Sequence, residues 1–248
     1  MTVPHDHFSS MAQEYRAFRP RYPADLFDWL AATAPAKESA LDVGCGNGQA
    51  AVAFADRFSR VFAIDFSREQ IQNALVHPRV VYRVAPAEAT GLPNHSVDLI
   101  VAAQAMHWFN LDRFYAEVRR VSRSGAVIAA FSYCLARIEP ALDAIIRQLH
   151  GQIVGQDWPA ERAHIESGYR TLPFPFPEIE APPFEMEERW SCDQLLGYLR
   201  TWSAVARYRA RTGGDPVALV EPNLRSAWGR TDIRRVAWTL AVRVGRAG

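Results

Sequence analysis

The 248 residues predict an α/β fold built on a doubly wound parallel sheet, and three observations carry that prediction. Short apolar runs alternate with stretches of helical spacing through the first half of the chain. The first run ends in a glycine-rich turn, Gly44-Cys45-Gly46-Asn47-Gly48, and the second ends in Asp65. Open α/β sheets bind ligands outside the carboxyl ends of their strands, which is where both features fall.

The elements follow in order. Ala24 to Leu30 has helical spacing, with Leu26, Phe27 and Leu30 on one face. Ala40 to Val43 reads as a strand, Gln49 to Phe58 as a helix, and Arg60 to Asp65 as the second strand. Ser67 suits the N-cap of a helix over Arg68 to Leu75. Val80 to Val84, Val97 to Ala103 and Ala126 to Phe131 complete five strands, with a helix over Leu111 to Val121 before the last. After Tyr133 the pattern changes. Helices are expected over Pro140 to His150, Cys192 to Arg211 and Pro216 to Trp228, with strands over Phe184 to Trp190 and Val236 to Val244. The run Pro173-Phe174-Pro175-Phe176-Pro177 interrupts regular structure. The expected organisation is one domain over 1–248, with a ligand-binding core at 35–135 and a mainly helical insertion at 136–235.

Composition excludes several classes. With 49% hydrophobic residues the chain can bury a sizeable core, and a net charge of +1 gives no field to draw it to nucleic acid or an anionic membrane. Cys45, Cys134 and Cys192 are odd in number and far apart, so neither a disulfide framework nor a metal site is expected. Met1 to Ser10 is polar, and no 18 apolar residues run together, so a cytoplasmic setting is expected.

Glycines between a strand and a helix let a ligand lie against bare main chain. Asp65, 23 residues after Asp42, can accept both hydroxyls of a ribose. Such charge-assisted hydrogen bonds are worth about 1.5–3 kcal/mol. The bland alternative is a tight turn followed by a helix-capping aspartate. The glycine spacing is GxGxG, unlike the GxGxxG that packs helix on strand beneath a dinucleotide pyrophosphate. Asp42, two residues before the first glycine, ill suits a pyrophosphate and well suits a ligand carrying ammonium and sulfonium charges. A nicotinamide oxidoreductase is therefore disfavoured.

The stretch Leu41-Asp42-Val43-Gly44-Cys45-Gly46-Asn47-Gly48-Gln49 resembles motif I of class I S-adenosylmethionine (SAM)-dependent methyltransferases, with Asn47 where threonine or serine is commoner. Three later segments resemble the same superfamily in the same order: Ile64-Asp65-Phe66-Ser67, Ala87-Glu88-Ala89-Thr90-Gly91-Leu92-Pro93 and Val97-Asp98-Leu99-Ile100. The resemblance covers about residues 8 to 135. Tyr15-Arg16-Ala17-Phe18-Arg19-Pro20-Arg21-Tyr22-Pro23 and Ala103-Gln104-Ala105-Met106-His107-Trp108-Phe109 are similar to the trans-aconitate methyltransferase-like group. Asn110 and Ser122-Arg123-Ser124-Gly125 depart from that group's pattern, and Asn110 can still cap a helix.

The resemblance implies a Rossmann-like sheet, mostly parallel with a C-terminal antiparallel strand, and SAM as cofactor with S-adenosylhomocysteine as product. It implies that Gly44, Cys45, Gly46 and Gly48 border the methionine and ribose, with Asp42 beside them. Asp65 takes the ribose diol, Phe66 packs on adenine, and Ala87 and Glu88 lie at the adenine edge. Gln104 and Ala105 leave the fourth strand beside the cofactor, over which Tyr15 and Arg19 close. His107 is the candidate catalytic residue, a base for an O–H or N–H acceptor, since histidine titrates near neutrality. The rival reading makes it inert pocket wall. Trp108, Trp202 and Arg209 are candidates to bind the acceptor, the last two from an insertion read as a substrate cap. The tryptophans equally suit the insertion's own core.

The implied partner is a small molecule, with no nucleic acid, no membrane, and a monomer or homodimer as the assembly. No Asn/Asp-Pro-Pro-Tyr or Pro-Cys motif of the DNA enzymes follows the fourth strand. Methylation of RNA or protein and a non-catalytic SAM-binding role stay open.

Overall fold

The computed structural model describes residues 18–248, which form two compact units. The first, here the sheet unit, comprises Tyr22–Tyr133, Ala163–Phe184 and Thr239–Gly248. The second, the helical unit, comprises residues 18–21, Cys134–Arg162 and Glu185–Trp238. Tyr15 lies outside the described residues.

The sheet unit opens with α1 (Ala24–Thr33), β1 (Ser39–Val43), α2 (Gln49–Ala55), β2 (Arg60–Asp65), α3 (Arg68–Gln72), β3 (Val80–Val84) and β4 (Val97–Ala103). A 3₁₀ turn over Met106–Trp108 leads to α4 (Leu111–Val121) and β5 (Ser122–Tyr133). Next in the chain come α5 (Pro140–Arg147), α6 (Arg162–Glu166), β6 (Glu178–Ile179) and β7 (Phe184–Trp190). The last elements are α7 (Cys192–Arg200), α8 (Ser203–Thr212), α9 (Pro216–Trp228) and β8 (Arg234–Arg246). The strand order is β3-β2-β1-β4-β5-β8-β6, with β7 pairing β8. The first five strands are parallel, and β8 runs antiparallel to β5 and to β6. The expected mostly parallel sheet with an antiparallel C-terminal strand is the one observed.

The chain winds from β1 out to β3 and then returns to place β4 on the other flank of β1. The order therefore reverses between β1 and β4, the switch point where such sheets open a crevice. Strands covered on both faces read as near-continuous apolar runs, and β4 is buried from Val97 to Ala102. One face packs Leu41, Val43, Ile64 and Ile100 against Phe114, Val118 and Val121 of α4. On α1 and α2, Phe27 and Phe54 meet edge to face at 4.8 Å.

Several boundaries differ from the sequence expectation, each for a local reason. The α2 helix stops at Ala55, because the Arg57 and Phe58 amides both donate to the Phe54 carbonyl. The α3 helix stops at Gln72, short of Leu75, whose amide donates instead to Asn47 in the glycine loop. The helix expected over Cys192 to Arg211 is two, since Trp202 is extended and the Thr201 hydroxyl donates to the Tyr198 carbonyl at 2.7 Å. After α5 the chain continues as a π turn over Gln148–Ile153. The β5 and β8 strands run longer than expected, pairing from Val127↔Arg246 to Tyr133↔Leu240.

In the helical unit the rings of Trp190, Tyr198, Trp202 and Trp238 contact one another, with Trp158 and His150 against Trp202. The segment Ala163–Phe184, expected with the insertion, counts with the sheet unit. No helix among the described residues is long and apolar enough to cross a membrane.

Candidate active site

The glycine loop leaves β1 at the switch point and is tied to β2, because Gly44 and Cys45 both donate to the Ile64 carbonyl, at 2.8 and 2.9 Å. Gly44, Gly46 and Gly48 all take left-handed φ, at 68°, 54° and 84°. A Cβ on Gly44 would sit 2.6 Å from the Ala105 Cβ, and one on Gly48 would overlap the Tyr82 hydroxyl. Among the described residues, a Cβ on Gly46 would meet only the Gln70 side chain, 3.8 Å away. The loop is thus closed at both ends and open in the middle, a cradle where a ligand can approach main chain.

Asp65 ends β2 beside this opening and is almost buried. Its Oδ2 accepts from the Gly46 amide at 2.9 Å and its Oδ1 from the Ser67 amide at 2.8 Å. Both carboxylate oxygens are thus fixed by main-chain donors at the carboxyl end of β2. Next to it Phe66 is 61% exposed, an apolar face at the rim that an adenine ring would cover.

Asp42, next to last in β1, is fully buried, and neither carboxylate oxygen has a hydrogen-bond partner within normal geometry among the described residues. Burial, and next the charge of Asp65, push its pKa up to about 7, against the opposing pull of the Ala51 backbone N–H. Buried charges are held only when compensated, so an orphaned carboxylate beneath the loop fits a cationic ligand. Burial first, then Asp42 and Asp65, push the Cys45 thiol well above its ordinary range. Cys45 is accordingly a neutral thiol, with its sulfur 3.5 Å from the Gly46 carbonyl.

The loop after β3 is held by Glu117. Its Oε1 accepts from the Thr90 amide and hydroxyl at 2.8 and 2.6 Å, and Arg120 pairs with it at 2.7 Å. Burial alone would raise the Glu117 pKa, but the Arg120 and Thr90 hydrogen bonds outweigh it and bring it down to about 2. Ala87 is buried in this loop. The Glu88 carboxylate accepts from the Asn110 amide at 2.8 Å, so its side chain ties the loop to the start of α4. Asn110 does cap α4, accepting from the Arg113 amide.

Gln104 follows β4 with φ of 55°, and its side-chain amide donates to the Tyr133 carbonyl at 3.1 Å. A non-glycine residue in that region is strained, typically at functional sites. The turn it makes lays Ala105 on Gly44. The 3₁₀ turn then carries His107 and Trp108, whose rings lie 4.8 Å apart, with Trp108 47% exposed. The His107 Nδ1 lies 3.1 Å from the Tyr169 hydroxyl.

The loop, Asp42, Asp65, Phe66, Ala87, Glu88, Gln104, Ala105, His107 and Trp108 all belong to the sheet unit. Arg19, Trp202 and Arg209 belong to the helical unit, and the structure assigns them other contacts. Arg19 donates to the Thr201 carbonyl at 3.3 Å and lies over the Tyr198 ring. Trp202 is buried among the unit's aromatic side chains, and Arg209 pairs with Asp215 at 2.9 Å. Trp202 and Arg209 were expected to bind the acceptor, and in the helical unit they stand in ring packing and in an ion pair. Sequence reasoning missed Tyr82, which closes one end of the loop, and Tyr169. Tyr82 stood in an ordinary strand pattern, and Tyr169 lies 62 residues from His107 with no motif around it. Among the described residues no group of His, Cys, Asp or Glu could hold a metal ion.

Comparison with known proteins agrees with this geometry. A family model described as a methyltransferase domain matches residues 41–130. A Dictyostelium discoideum protein named as a methyltransferase is 33% identical over 231 residues, covering 92% of this chain and 88% of its own. A Saccharomyces cerevisiae protein named as a SAM-dependent methyltransferase is 27% identical over 128 residues, 48% of this chain and 44% of that one. A solved structure from Anaeromyxobacter dehalogenans, named as a type II methyltransferase, is 59% identical with a TM-score of 0.88, covering 93% of this chain and 98% of that one. The chain belongs to the class I SAM-dependent methyltransferases. Its activity is methyl transfer and its cofactor is SAM.

Proposed function

We propose that this methyltransferase acts on an oxygen or nitrogen atom of a small molecule, as in the trans-aconitate methyltransferase-like group. The observation that supports it best is the convergence at the switch point. An open main-chain cradle, the Asp65 carboxylate and the His107–Trp108 turn all leave the carboxyl ends of β1, β2 and β4. A net charge of +1 over the chain also gives no field for a polyanionic acceptor.

SAM, when bound, supplies an electrophilic methyl group on a sulfonium. The chain's own residues would supply the rest. Asp65 would hold the ribose hydroxyls, Phe66 the adenine face, and the Ala87–Glu88 backbone the adenine edge. Asp42 would set a negative charge beneath the cationic end of the ligand, which Gly44, Cys45, Gly46, Gly48, Gln104 and Ala105 would border. Holding an acceptor atom about 3–3.5 Å from its target converts a bimolecular step into a nearly unimolecular one and supplies much of the rate. For an acceptor that starts protonated, His107 would take the proton, a contribution of about 10²–10⁴-fold. Trp108 would offer the acceptor an apolar wall.

The test is methyl transfer from isotope-labelled SAM to a host extract separated into metabolite, RNA and protein fractions, read by mass spectrometry. Label in a metabolite is expected. Label confined to RNA or protein would overturn the small-molecule reading, and transfer to no fraction would favour a binding role.

A further inference from the structure

We propose that Tyr82 is a positioning residue for the cofactor: acting through Leu75, its hydroxyl holds the Asn47–Gly48 end of the glycine loop in the shape that receives SAM. The proposal rests on the reading of that loop as the cofactor cradle and adds a residue that tunes its affinity from the neighbouring strand.

Tyr82 stands in β3 paired with Ala63 of β2, which in turn pairs with Asp42 of β1. Residues paired in this way share a face of the sheet, so the phenol, a small alanine and the buried carboxylate form one row beneath the loop. Tyr82 is half-buried, and its hydroxyl reaches the end of the loop, where it would overlap a Cβ on Gly48. Burial, and after it Cys45 and Asp42, push the phenol above its ordinary range, so the hydroxyl is a donor at neutral pH. That donor has a defined target. The Tyr82 hydroxyl donates to the Leu75 carbonyl at 2.7 Å, and the Leu75 amide donates to the Asn47 carbonyl at 2.9 Å. Leu75 lies between α3 and β3, outside regular structure, and both of its main-chain groups serve other segments.

The loop is therefore tied to two strands. Its start hangs on β2, where Gly44 and Cys45 donate to Ile64 and Gly46 to Asp65, and the relay through Leu75 ties its other end to β3. Three glycines at left-handed φ lose more freedom on ordering than any other residues would. A ligand that meets the loop already ordered does not bear that loss, and its affinity rises accordingly. Without the Tyr82 hydroxyl, the Leu75 carbonyl lacks this donor and Asn47 and Gly48 gain other shapes. Binding then weakens through the loop.

The test compares full-length wild type with two variants. Tyr82→Phe keeps the ring and removes the donor. Ser122→Ala removes another hydroxyl that donates to a carbonyl, that of Val118 at 2.7 Å, at the amino end of β5. S-adenosylhomocysteine affinity is read by calorimetry well below the melting temperature, and stability by urea denaturation. Tyr82→Phe is expected to weaken binding about three- to tenfold, the worth of one hydrogen bond. Ser122→Ala is expected to lose stability at unchanged affinity. Unchanged affinity in Tyr82→Phe overturns the proposal, as does an equal loss of affinity in Ser122→Ala, because affinity would then merely follow stability. Amide hydrogen exchange gives a second readout. The Leu75 amide should be protected in ligand-free wild type, exchange faster in Tyr82→Phe, and regain protection at saturating S-adenosylhomocysteine. A wild-type Leu75 amide exchanging at the rate of an unfolded chain overturns the proposal even if the variant does not fold. Wild type that binds no S-adenosylhomocysteine would bring down the cradle reading as well, whereas equal binding by wild type and Tyr82→Phe brings down the proposal alone.

Discussion

Asp42 offers the sharpest test of the electrostatics beneath the glycine loop. Its pKa is pushed from 3.8 to about 7 by burial and by Asp65. At about 1.4 kcal/mol per pH unit, ionising it in the folded state costs about 4 kcal/mol relative to the unfolded chain. The folded state holds the proton more tightly, so this group's penalty is absent below pH 3.8, grows as pH rises, and is complete above about pH 7. Between pH 5 and pH 8 the growth is about 2.5 kcal/mol. Asp42→Asn keeps the shape and has nothing to titrate, though its amide needs partners of its own, at a pH-independent cost of about 1–3 kcal/mol. The quantity to measure is therefore the difference in urea-unfolding free energy, variant minus wild type, at the two pH values without ligand. It should move in the variant's favour by about 2.5 kcal/mol from pH 5 to pH 8. Equal differences at both would show that Asp42 ionises as an ordinary carboxylate and would remove the uncompensated charge from the site.

Three further outcomes are expected. Asp65→Ala should weaken S-adenosylhomocysteine binding by about 1.5–3 kcal/mol, roughly ten- to a hundredfold, in calorimetry; an unaltered affinity would take Asp65 out of the ribose site. Gly48→Ala should destabilise the fold by about 2–4 kcal/mol, from the overlap with Tyr82 and the left-handed backbone together; Tyr82→Leu added to it should recover stability, and no recovery in the melting temperature would refute the steric account. Glu117→Gln should cost about 2 kcal/mol at pH 7. Because the Glu117 pKa is lowered to about 2, its stabilisation is present above pH 4.5 and fades as pH falls toward 2. The variant should lose that acid-side dependence, and denaturation curves at pH 7 and pH 3 that differ from wild type by the same amount would count against it.

The sheet and the glycine loop were legible because their signals are local. Apolar runs such as Val97 to Ala103 mark strands buried on both faces, and glycines at Gly44, Gly46 and Gly48 mark main chain that must turn left-handed. The β2, β3 and β4 strands and the α4 and α9 helices have the expected boundaries. What the sequence hid are contacts between distant segments. Nothing near Leu75 says that its amide will serve Asn47 in place of its own helix. Nothing beside Trp202 or Arg209 in the sequence says that the one will pack among aromatic rings and the other meet Asp215. Tyr169 could be found only through the long-range pairing that brings residues 163–184 and 239–248 into the sheet unit.

That same pairing has a consequence for biogenesis. The β5 strand is buried from Ala126 through Tyr133, and its flank away from β4 is covered by β8, whose partner residues begin at Leu240, 107 positions after Tyr133. While the ribosome makes the intervening chain, an apolar strand with open hydrogen-bonding groups stands as a template for any other extended segment. Non-local closure of this kind is slow, because the entropy of the long loop is lost before the contacts form. Premature termination anywhere before residue 240 should thus yield inclusion bodies in place of a smaller soluble enzyme, and the sticky period should end only when the last rungs of the ladder are translated.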